Sequence, residues 1–397
     1  MTTRKNSLLA AAAAVLLTTA APASSAPAAA RAETPVDYFA AGLTTKRVLD
    51  WGDRPNWSPD GRRLVFTRND VEDGPAYEID LASGKGKCLT CRFGANGQVT
   101  RIFFLPDGSF LIEAGRNLET TSSQRGGGSG EGAASTALYW MAADARMPPQ
   151  SLQAAAIGDI AILSNPLPEG GFRIAWGACN ADACELTVAD LLHDGSRAVL
   201  ANRRIVYSNS REKPDSRASF PEAYDFTDDG RTITFWTLVP RTLESAMYRF
   251  SLADSSLVRQ PSDGAHNETH LFPDGRHGLE ESNRASDPDG PVRGVSALAV
   301  STVTLLLKAG GKEGRIDPVA NADKPFDLYV TVADGSRKPR RLTFFSDRGG
   351  AAHQSTPAPD GRRIAYAVRA PAEGPLAGQS GLYVAAFGPS KPARREP

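Results

Sequence analysis

The chain alternates apolar and polar residues in short runs that recur along its length. Residues 64–66, 233–235 and 364–366 each follow a tight-turn motif and place every second side chain on one face, as half-buried strands require. A second run, aromatic or aliphatic, follows further along each repeat. Six such runs occur, at residues 77–80, 138–141, 186–189, 247–250, 328–331 and 382–385. The pattern predicts repeated units of paired antiparallel strands.

A Pro-Asp-Gly triplet marks most of the turns. It occurs at residues 59–61, 106–108, 273–275 and 359–361, with Asp-Asp-Gly at 228–230 and Pro-Glu-Gly at 168–170. Proline presets φ at the second turn position, and glycine takes the left-handed conformation that closes a hairpin. Turns and runs alternate strictly, which predicts six four-stranded units.

A series of such units is typical of a propeller, so we predict an all-β fold, a six-bladed β-propeller of four-stranded antiparallel blades. The propeller is expected over residues 44–390. Its blades are expected near residues 54–92, 99–150, 158–201, 220–260, 266–343 and 353–390. Residues 46–50 precede the first turn and have the pattern of a fourth strand. We therefore expect this N-terminal strand to complete the last blade and remove the exposed sheet edges.

The repeat resembles that of a known family. Residues 57–66 (Trp-Ser-Pro-Asp-Gly-Arg-Arg-Leu-Val-Phe), 77–81 (Tyr-Glu-Ile-Asp-Leu) and 88–90 (Cys-Leu-Thr) are similar to the WD40-like repeat of the TolB-like six-bladed β-propellers. The resemblance extends from about residue 45 to 390. It implies the fold, whereas function has to be argued from the site.

The ends and insertions of the chain carry separate signals. Residues 1–32 combine Arg4 and Lys5 with an apolar run and a closing Ala-Arg-Ala, which predicts a signal peptide cleaved near Ala32 and a periplasmic or secreted protein. Residues 391–397 form a basic tail. Insertions are expected at 119–136 as a mobile loop, at 203–219 as a connection, and at 285–325 as an extra strand or a short helix.

Composition narrows the range of partners. Lys plus Arg equals Asp plus Glu, at 45 each, so no charge excess favours nucleic acid or an anionic membrane. No later stretch is long and apolar enough to predict a membrane span. We expect a monomer whose partner is a protein, peptide or glycan.

Four cysteines, Cys88, Cys91, Cys179 and Cys184, favour two local disulfides in an exported chain. Cys179 and Cys184 bracket a short turn between strands, and Cys88 and Cys91 have C-x-x-C spacing. The alternatives are mixed pairing or free thiols, a redox pair, or a zinc site, although a redox pair normally needs a helix N-terminus to activate its thiol.

Candidate binding residues emerge by counting back from each turn along the predicted innermost strand. Polar side chains there break the apolar pattern of a strand, and such exceptions tend to mark sites. The predicted ligand-binding residues are Arg54, Asn56, Arg101, Glu222, Asp225, Glu268, His270 and Gln354. Basic residues come from the first two blades and acidic ones from the fourth and fifth. This predicts a polarised pocket, with one basic wall and one acidic wall. The alternative is that these charges only pair with each other across a water-filled channel.

Histidines suggest a second kind of site. His266, Glu268 and His270 lie on one face of a predicted strand, and His353 and Gln354 begin the next blade. The architecture also resembles that of oligogalacturonate lyases, whose site uses histidines and a glutamine on a metal. That resemblance implies a divalent metal at His266, His270, His353 and Gln354. The alternative is a polar channel mouth without metal or other cofactor. His193, in a Leu-His-Asp-Gly turn, is expected on the surface.

These observations favour an exported, non-enzymatic binding protein that recognises a protein, peptide or glycan at the channel face, with a role in the cell envelope. The alternative is a carbohydrate-active enzyme, a polysaccharide lyase or glycan hydrolase that uses the histidine cluster.

Overall fold

The computed structural model describes residues 35–68, 74–93, 99–115, 136–180, 182–210, 217–218, 220–227, 230–239, 245–262, 267–286 and 325–390. The described residues from Val36 onward form one compact unit. The predicted signal peptide, the basic tail, His266 and nearly all of the 119–136 and 285–325 insertions lie outside the described residues.

The described elements are almost all strands. The first is β1 (Ala41–Leu49). The next group is β2 (Asp53–Trp57), β3 (Arg63–Thr67), β4 (Ala76–Asp80) and β5 (Gly86–Cys88). A longer group follows: β6 (Val99–Phe104), β7 (Phe110–Gly115), β8 (Thr136–Met141), β9 (Gln150–Ile162), β10 (Phe172–Cys179), β11 (Ala183–His193) and β12 (Ala198–Ser210).

The remaining strands complete the chain. They are β13 (Glu222–Phe226), β14 (Thr232–Leu238), β15 (Ser245–Ser251), β16 (Leu257–Arg259), β17 (Glu268–Leu271), β18 (His277–Ser282), β19 (Asp327–Val332), β20 (Arg340–Arg341), β21 (Ala351–Pro357), β22 (Arg363–Arg369) and β23 (Gly381–Ser390). Two short 3-10 helices, Cys91–Phe93 and Ser346–Arg348, accompany them. No helix in the described ranges is long and apolar enough to cross a membrane.

The sheets form a β-propeller, which confirms the predicted all-β class. Sheets β2–β5, β13–β16 and β17–β20 have four antiparallel strands each, and β21, β22, β23 and β1 form a fourth sheet of the same size. Strands β6 to β12 form one seven-stranded sheet, because β9 pairs with β8 up to Ala156 and with β10 from Ile157. This sheet spans the second and third predicted units, so six separate blades stay a prediction.

The N-terminal strand closes the last sheet as predicted. Strand β1 pairs antiparallel with β23, with Lys46 opposite Val384 and Arg47 opposite Tyr383. The preceding segment is anchored as well, because the Tyr38 hydroxyl donates to the Gly361 carbonyl at 2.8 Å. The guanidinium of Arg340 donates to the carbonyls of Tyr38 and Ala41. The outer edge of β23 is therefore covered by the chain's own N-terminal segment.

The turn motif works through its carboxylate and its glycine. Asp60 Oδ1 accepts a hydrogen bond from the Arg62 amide at 3.1 Å, and Asp360 Oδ1 accepts one from the Arg362 amide at 2.7 Å. Gly61 and Gly361 both have φ of 64°, where a residue with a side chain would be strained. The repeated triplet thus specifies the same hairpin geometry in different sheets.

Both predicted disulfides are present, Cys88–Cys91 and Cys179–Cys184. The second pair joins residues directly opposite each other on β10 and β11. Four cysteines are thereby used in two local links.

Two local predictions were wrong. Residues 203–210, expected in a connection, belong to β12, whose polar side chains are tolerated because an outer strand is largely exposed. His193 is not a surface residue: its side chain is 13% exposed, stacks on Trp140 and lies 3.0 Å from Asp107 of another turn. Packing between two turns distant in sequence buries it.

The pairing of β1 with β23 leaves no room for a side chain at Gly381. This glycine has φ of 132°, and a Cβ there would lie 2.1 Å from the Leu49 carbonyl oxygen in β1. We expect Gly381→Ala to lower the free energy of unfolding by about 2–4 kcal/mol, because it adds overpacking to backbone strain. Urea unfolding measures the change.

Gly388→Ala is the matched control, since a Cβ there meets only the Gly42 carbonyl at an ordinary 3.7 Å. The control should stay within about 0.5 kcal/mol of wild type. Equal stability of the two variants would contradict tight packing of β1 on β23.

Candidate functional site

A cavity of about 30 Å³ lies where the first strands of the sheets meet. We call it the axial cavity. It is lined by Arg54, Pro55, Asn56, Arg101, Ile102, Phe103, Asp159, Tyr224, Glu268, His270, Glu281, Gln354, Ser355 and Thr356. This volume holds one or two water-sized groups, since a water molecule needs about 10–15 Å³ measured in this way.

Backbone irregularities direct side chains into the cavity. The pairing register shifts between Asp53 and Asn56 in β2, between Val99 and Arg101 in β6, and between His353 and Thr356 in β21. β-bulges of this kind re-aim side chains and are common beside sites. Arg54 and Gln354, at the centres of two of these shifts, have φ of 51° and 53°. Non-glycine residues in this conformation store strain, which tends to collect at functional positions.

Arg101 is the centre of a buried ionic network. Its side chain is 7% exposed, and its guanidinium lies 3.0 Å from Asp159 Oδ1 and 2.9 Å from Glu222 Oε1. It also donates to Gln354 Oε1 at 2.9 Å. Burial opposes its charge, but Asp159, Glu222 and Glu113 together raise the pKa of Arg101 above its ordinary value. The charge of Arg101 is therefore neutralised within the protein.

A glycine makes this network possible. Gly158 has φ of 76°, and a Cβ there would lie 2.3 Å from the Glu222 carboxyl group. The next residue, Asp159, donates its amide to Glu222 Oε1 at 3.0 Å. Burial raises the pKa of Glu222 to about 8, with Glu268 and Asp159 adding to the effect and Arg101 opposing it.

Arg54 is held differently from Arg101. Its Nη1 donates to the Thr100 carbonyl at 3.1 Å, and its buried Nε has no hydrogen-bond partner among the described residues. Burial and the neighbouring Arg101 guanidinium lower the pKa of Arg54. One donor of Arg54 is thus unsatisfied beside the cavity.

His270 carries a positive charge at neutral pH. Burial disfavours the imidazolium, but the Asp225 carboxylate, 3.6 Å from Nδ1, outweighs it, and the pKa of His270 rises to about 9. The ring packs against Tyr224, with centroids 4.6 Å apart. A charged imidazole can donate hydrogen bonds but cannot ligate a metal.

Glu281 faces the same cavity from β18, directly opposite Glu268 on β17. Its Oε1 accepts the Ser355 amide at 2.6 Å. Burial raises the pKa of Glu281 to about 8, and the charge of Glu268 adds to the increase. Near neutral pH the Glu281 carboxyl group therefore holds a proton.

His353, in β21, is also buried. Its Nδ1 is 3.7 Å from Asp53 Oδ1, and burial lowers the pKa of His353 to about 4 although Asp53 opposes the shift. The imidazole is neutral at neutral pH, and its Nε2 has no hydrogen-bond partner in the described part of the chain.

The described residues do not fit the divalent metal that the lyase resemblance implies. No three His, Cys, Asp or Glu side chains among them converge at metal-binding distance. His270 is charged and paired with Asp225, whereas His353 is paired with Asp53. His266 lies outside the described residues, so the metal stays untested there.

Most of the predicted ligand-binding residues line the cavity. They are Arg54, Asn56, Arg101, Glu268, His270 and Gln354. Glu222 and Asp225 lie behind it, in contact with Arg101 and His270. Their role in binding stays a prediction.

Asn56 and Asp225 have a shared structural use. Asn56 Oδ1 accepts the Phe104 amide at 3.0 Å, and Asp225 Oδ2 accepts the Leu271 amide at 2.8 Å. Both residues precede the turn aspartate by four positions, and each satisfies an amide of the first strand in the next unit.

Sequence reasoning missed Asp159, Tyr224 and Glu281 as cavity residues. Asp159 follows Gly158 inside the apolar strand β9, a combination that could have indicated it. Glu281 belongs to a second strand, and counting back from the turns examines only first strands. The sequence pattern does not distinguish Tyr224 from an aromatic residue of the hydrophobic core.

Comparisons with known proteins give fold neighbours only. No protein-family model and no curated protein sequence matches the chain. A protein assigned as TolB from Agrobacterium tumefaciens is 16% identical over 76% of this chain and 88% of its own, with a TM-score of 0.45. Oligogalacturonate lyase from Vibrio parahaemolyticus is 9% identical over 87% and 97%, with a TM-score of 0.44. A gluconolactonase from Xanthomonas campestris is 13% identical over 88% and 91%, with a TM-score of 0.47. Identities this low leave the function to be argued from this chain's own residues.

Removing the central cation should destabilise the protein. Arg101→Met leaves Asp159 and Glu222 buried without their cation, and breaking a buried ionic network in this way costs about 3–5 kcal/mol. Urea unfolding followed by tryptophan fluorescence measures the loss. Arg146→Met is the control, because that side chain is 82% exposed and should change stability by less than about 0.5 kcal/mol. Equal stability of both variants would contradict a structural role for Arg101.

Glu281 should make stability fall as pH rises. Its pKa is about 8 in the folded protein and 4.5 ordinarily, so the folded state binds more protons between these values. The stabilisation is complete below pH 4.5 and is lost as pH rises through 8. Glu281→Gln mimics the protonated group and should remove this dependence. Each pKa unit corresponds to about 1.4 kcal/mol.

We therefore expect Glu281→Gln to match wild type near pH 5 and to exceed it by about 2 kcal/mol or more at pH 9. Urea unfolding across this range gives both curves. His270 also loses stabilisation as pH approaches its pKa of about 9, and because the charge of Glu281 helps to raise that pKa, the loss begins at a slightly lower pH in Glu281→Gln. Exposed Glu169→Gln should follow wild type. Parallel curves for wild type and Glu281→Gln would contradict the shifted pKa.

Proposed function

We propose that this protein is an exported β-propeller binding protein that recognises a protein, peptide or glycan partner at the channel face, in the cell envelope. One observation carries the proposal. Three residues that line the axial cavity, Arg54, Tyr224 and Ser355, each have a buried polar atom without a hydrogen-bond partner among the described residues. Buried polar groups in native proteins are nearly always satisfied, so this concentration favours water or a polar ligand group at the cavity.

The size of the cavity defines how such a partner would bind. A volume of about 30 Å³ admits one functional group, whereas sites for small molecules usually measure about 300–1,000 Å³. The body of the partner then lies across the channel face, and a single polar group enters the cavity. The partly exposed Glu268 and His270 connect the cavity to solvent on the β17 side.

Export is supported by the cysteines and by the N-terminal sequence pattern. Both disulfides link positions close in the chain, as in proteins that fold in an oxidising compartment. Residues 1–32 have the pattern of a signal peptide.

The alternative is a carbohydrate-active enzyme. It is favoured by the raised pKa values of Glu222 and Glu281, both about 8, because general acids in active sites have such values. Against it, Glu222 is bonded to Arg101.

Screening with and without Arg54 tests the binding function. The purified protein is immobilised and offered a random peptide library and a glycan array, in parallel with Arg54→Met and Arg146→Met. Ligands of wild type should bind Arg146→Met equally and Arg54→Met at least about tenfold more weakly, because a charged donor contributes about 1.5–3 kcal/mol. Thermal stability of Arg54→Met should not fall, since the buried guanidinium is already disfavoured.

Two outcomes would contradict the proposal. One is that neither library yields a ligand, or that the ligands found bind Arg54→Met as tightly as wild type. The other is release of unsaturated or shortened sugars from polygalacturonate by wild type but not by Glu281→Gln, which would establish the enzyme.

A further inference from the structure

The two disulfides differ in exposure and in their place in the sheets. Cys179 and Cys184 are 3% and 6% exposed, and they join β10 and β11, which both lie inside the seven-stranded sheet. Cys91 is instead exposed, and Cys88 is half-buried at the end of β5, the outermost strand of its sheet. Because exchange requires a thiolate to reach a sulfur atom, we expect the two disulfides to differ in reactivity.

Exposure within the Cys88–Cys91 pair is uneven, which selects the sulfur that is attacked. Cys91 follows the buried residues Leu89 and Thr90 and begins a short 3-10 helix at the surface. Cys88 lies in β5, opposite Tyr77 of β4. An incoming thiolate therefore reaches Cys91 Sγ more readily than Cys88 Sγ, and Cys88 becomes the leaving group.

The sulfur of Cys88 has a partner for each form that it takes after the bond opens. Cys88 Sγ accepts a hydrogen bond from the Cys91 amide at 3.0 Å, and a bond of this kind stabilises a thiolate. It also lies 3.5 Å from the Ala76 carbonyl oxygen, which can accept a hydrogen bond from a thiol. The reduced residue is thus accommodated both before and after it takes up a proton.

The segment that carries the pair is anchored independently of the disulfide. The Leu89 amide donates to the Ala76 carbonyl at 2.8 Å, and the Thr90 hydroxyl accepts the Ala76 amide at 3.0 Å. Leu89 also packs in a hydrophobic cluster with Val99 and Ile102. A link between residues three positions apart restricts the unfolded chain less than a longer loop would. The bond can therefore open and re-form while β4 and β5 stay paired.

Positive charge surrounds the pair. Residues 82–93 contain two lysines and Arg92 but no Asp or Glu. Lys87 lies 3.4 Å from Glu78 of β4, whereas Arg92 is exposed directly after Cys91. Cations beside a disulfide attract the thiolate that attacks and stabilise the thiolate that leaves.

We propose that Cys88–Cys91 is a thiol–disulfide exchange site whose substrate is a cysteine thiol of another molecule. The attacking thiolate bonds to Cys91 Sγ, the bond between Cys88 and Cys91 breaks, and its electron pair goes to Cys88 Sγ, which then takes a proton from water. The product is a mixed disulfide at Cys91 and a free thiol at Cys88. A second thiol can attack the mixed disulfide, which leaves the protein reduced and the two substrate thiols joined. The site uses no residue of the axial cavity, so it is independent of the proposed binding function.

Reduced glutathione and the peptide N-acetyl-alanyl-cysteinyl-alanine amide are the two probes, compared at equal thiolate concentration. Each is added to the purified protein, samples are quenched with acid and alkylated, and peptides are mapped by mass spectrometry. The Cys88–Cys91 bond should open at least about tenfold faster than the buried Cys179–Cys184 bond. The mixed disulfide should lie on Cys91, with Cys88 alkylated. Faster exchange with glutathione identifies a small acidic thiol as the substrate, and faster exchange with the peptide identifies a protein cysteine.

Serine variants test the roles of the two sulfurs. Cys88→Ser leaves Cys91 as an exposed thiol, which should form a mixed disulfide with oxidised glutathione faster than the half-buried thiol of Cys91→Ser does. The double variant lacks the disulfide altogether. Its Tm should fall by less than about 4 °C, because the hydrogen bonds and packing of Leu89 and Thr90 remain.

Three results would overturn the proposal. One is that the two disulfides open at the same rate, and another is that the mixed disulfide lies on Cys88 instead of Cys91. The third is a larger fall in Tm of the double variant, because the Cys88–Cys91 bond would then be needed for the fold and could not open in the native protein. None of these results bears on the binding of ligands at the channel face.

Discussion

The side chain of Arg101 is the contact on which the arrangement of the inner strands depends. From β6 it reaches Asp159 on β9, Glu222 on β13 and Gln354 on β21. Four strands from different parts of the chain are thereby joined through one planar group with several donors, which suits a guanidinium better than an ammonium group. Because this charge is buried, Asp159 and Glu222 cannot move away from it without being left unpaired.

The same arrangement leaves the cavity with an uneven charge distribution. Asp159 and Glu222 pair with Arg101 on one side, whereas on the β17–β18 side burial raises the pKa of Glu281 to about 8. The bulges that direct Arg54 and Gln354 inward cost backbone strain. Strain and unsatisfied polar atoms that occur together at one place are local exceptions of the kind expected at functional sites.

Much of the fold could be predicted from the sequence because its determinants are local. The turn triplets require φ values that only certain residues adopt, so hairpins follow from a few letters. The disulfides join residues three and five positions apart. Even the long-range pairing of β1 with β23 could be predicted. The last repeat lacks a fourth strand, and the N-terminal segment has the pattern of a fourth strand but no repeat of its own, so the two are expected to pair.

The sequence by itself therefore determined the strand periodicity, the hairpins, the closing strand and the set of polar residues near the axis. Tertiary structure decided how those polar residues are used. Asn56 and Asp225 satisfy amides of neighbouring units, and Asp159 and Glu281 enter the site from positions that no turn spacing indicates. The physical reason is that a turn or a strand is specified by near neighbours in sequence. Burial, ion pairing and shifted pKa values instead depend on groups that meet only after folding.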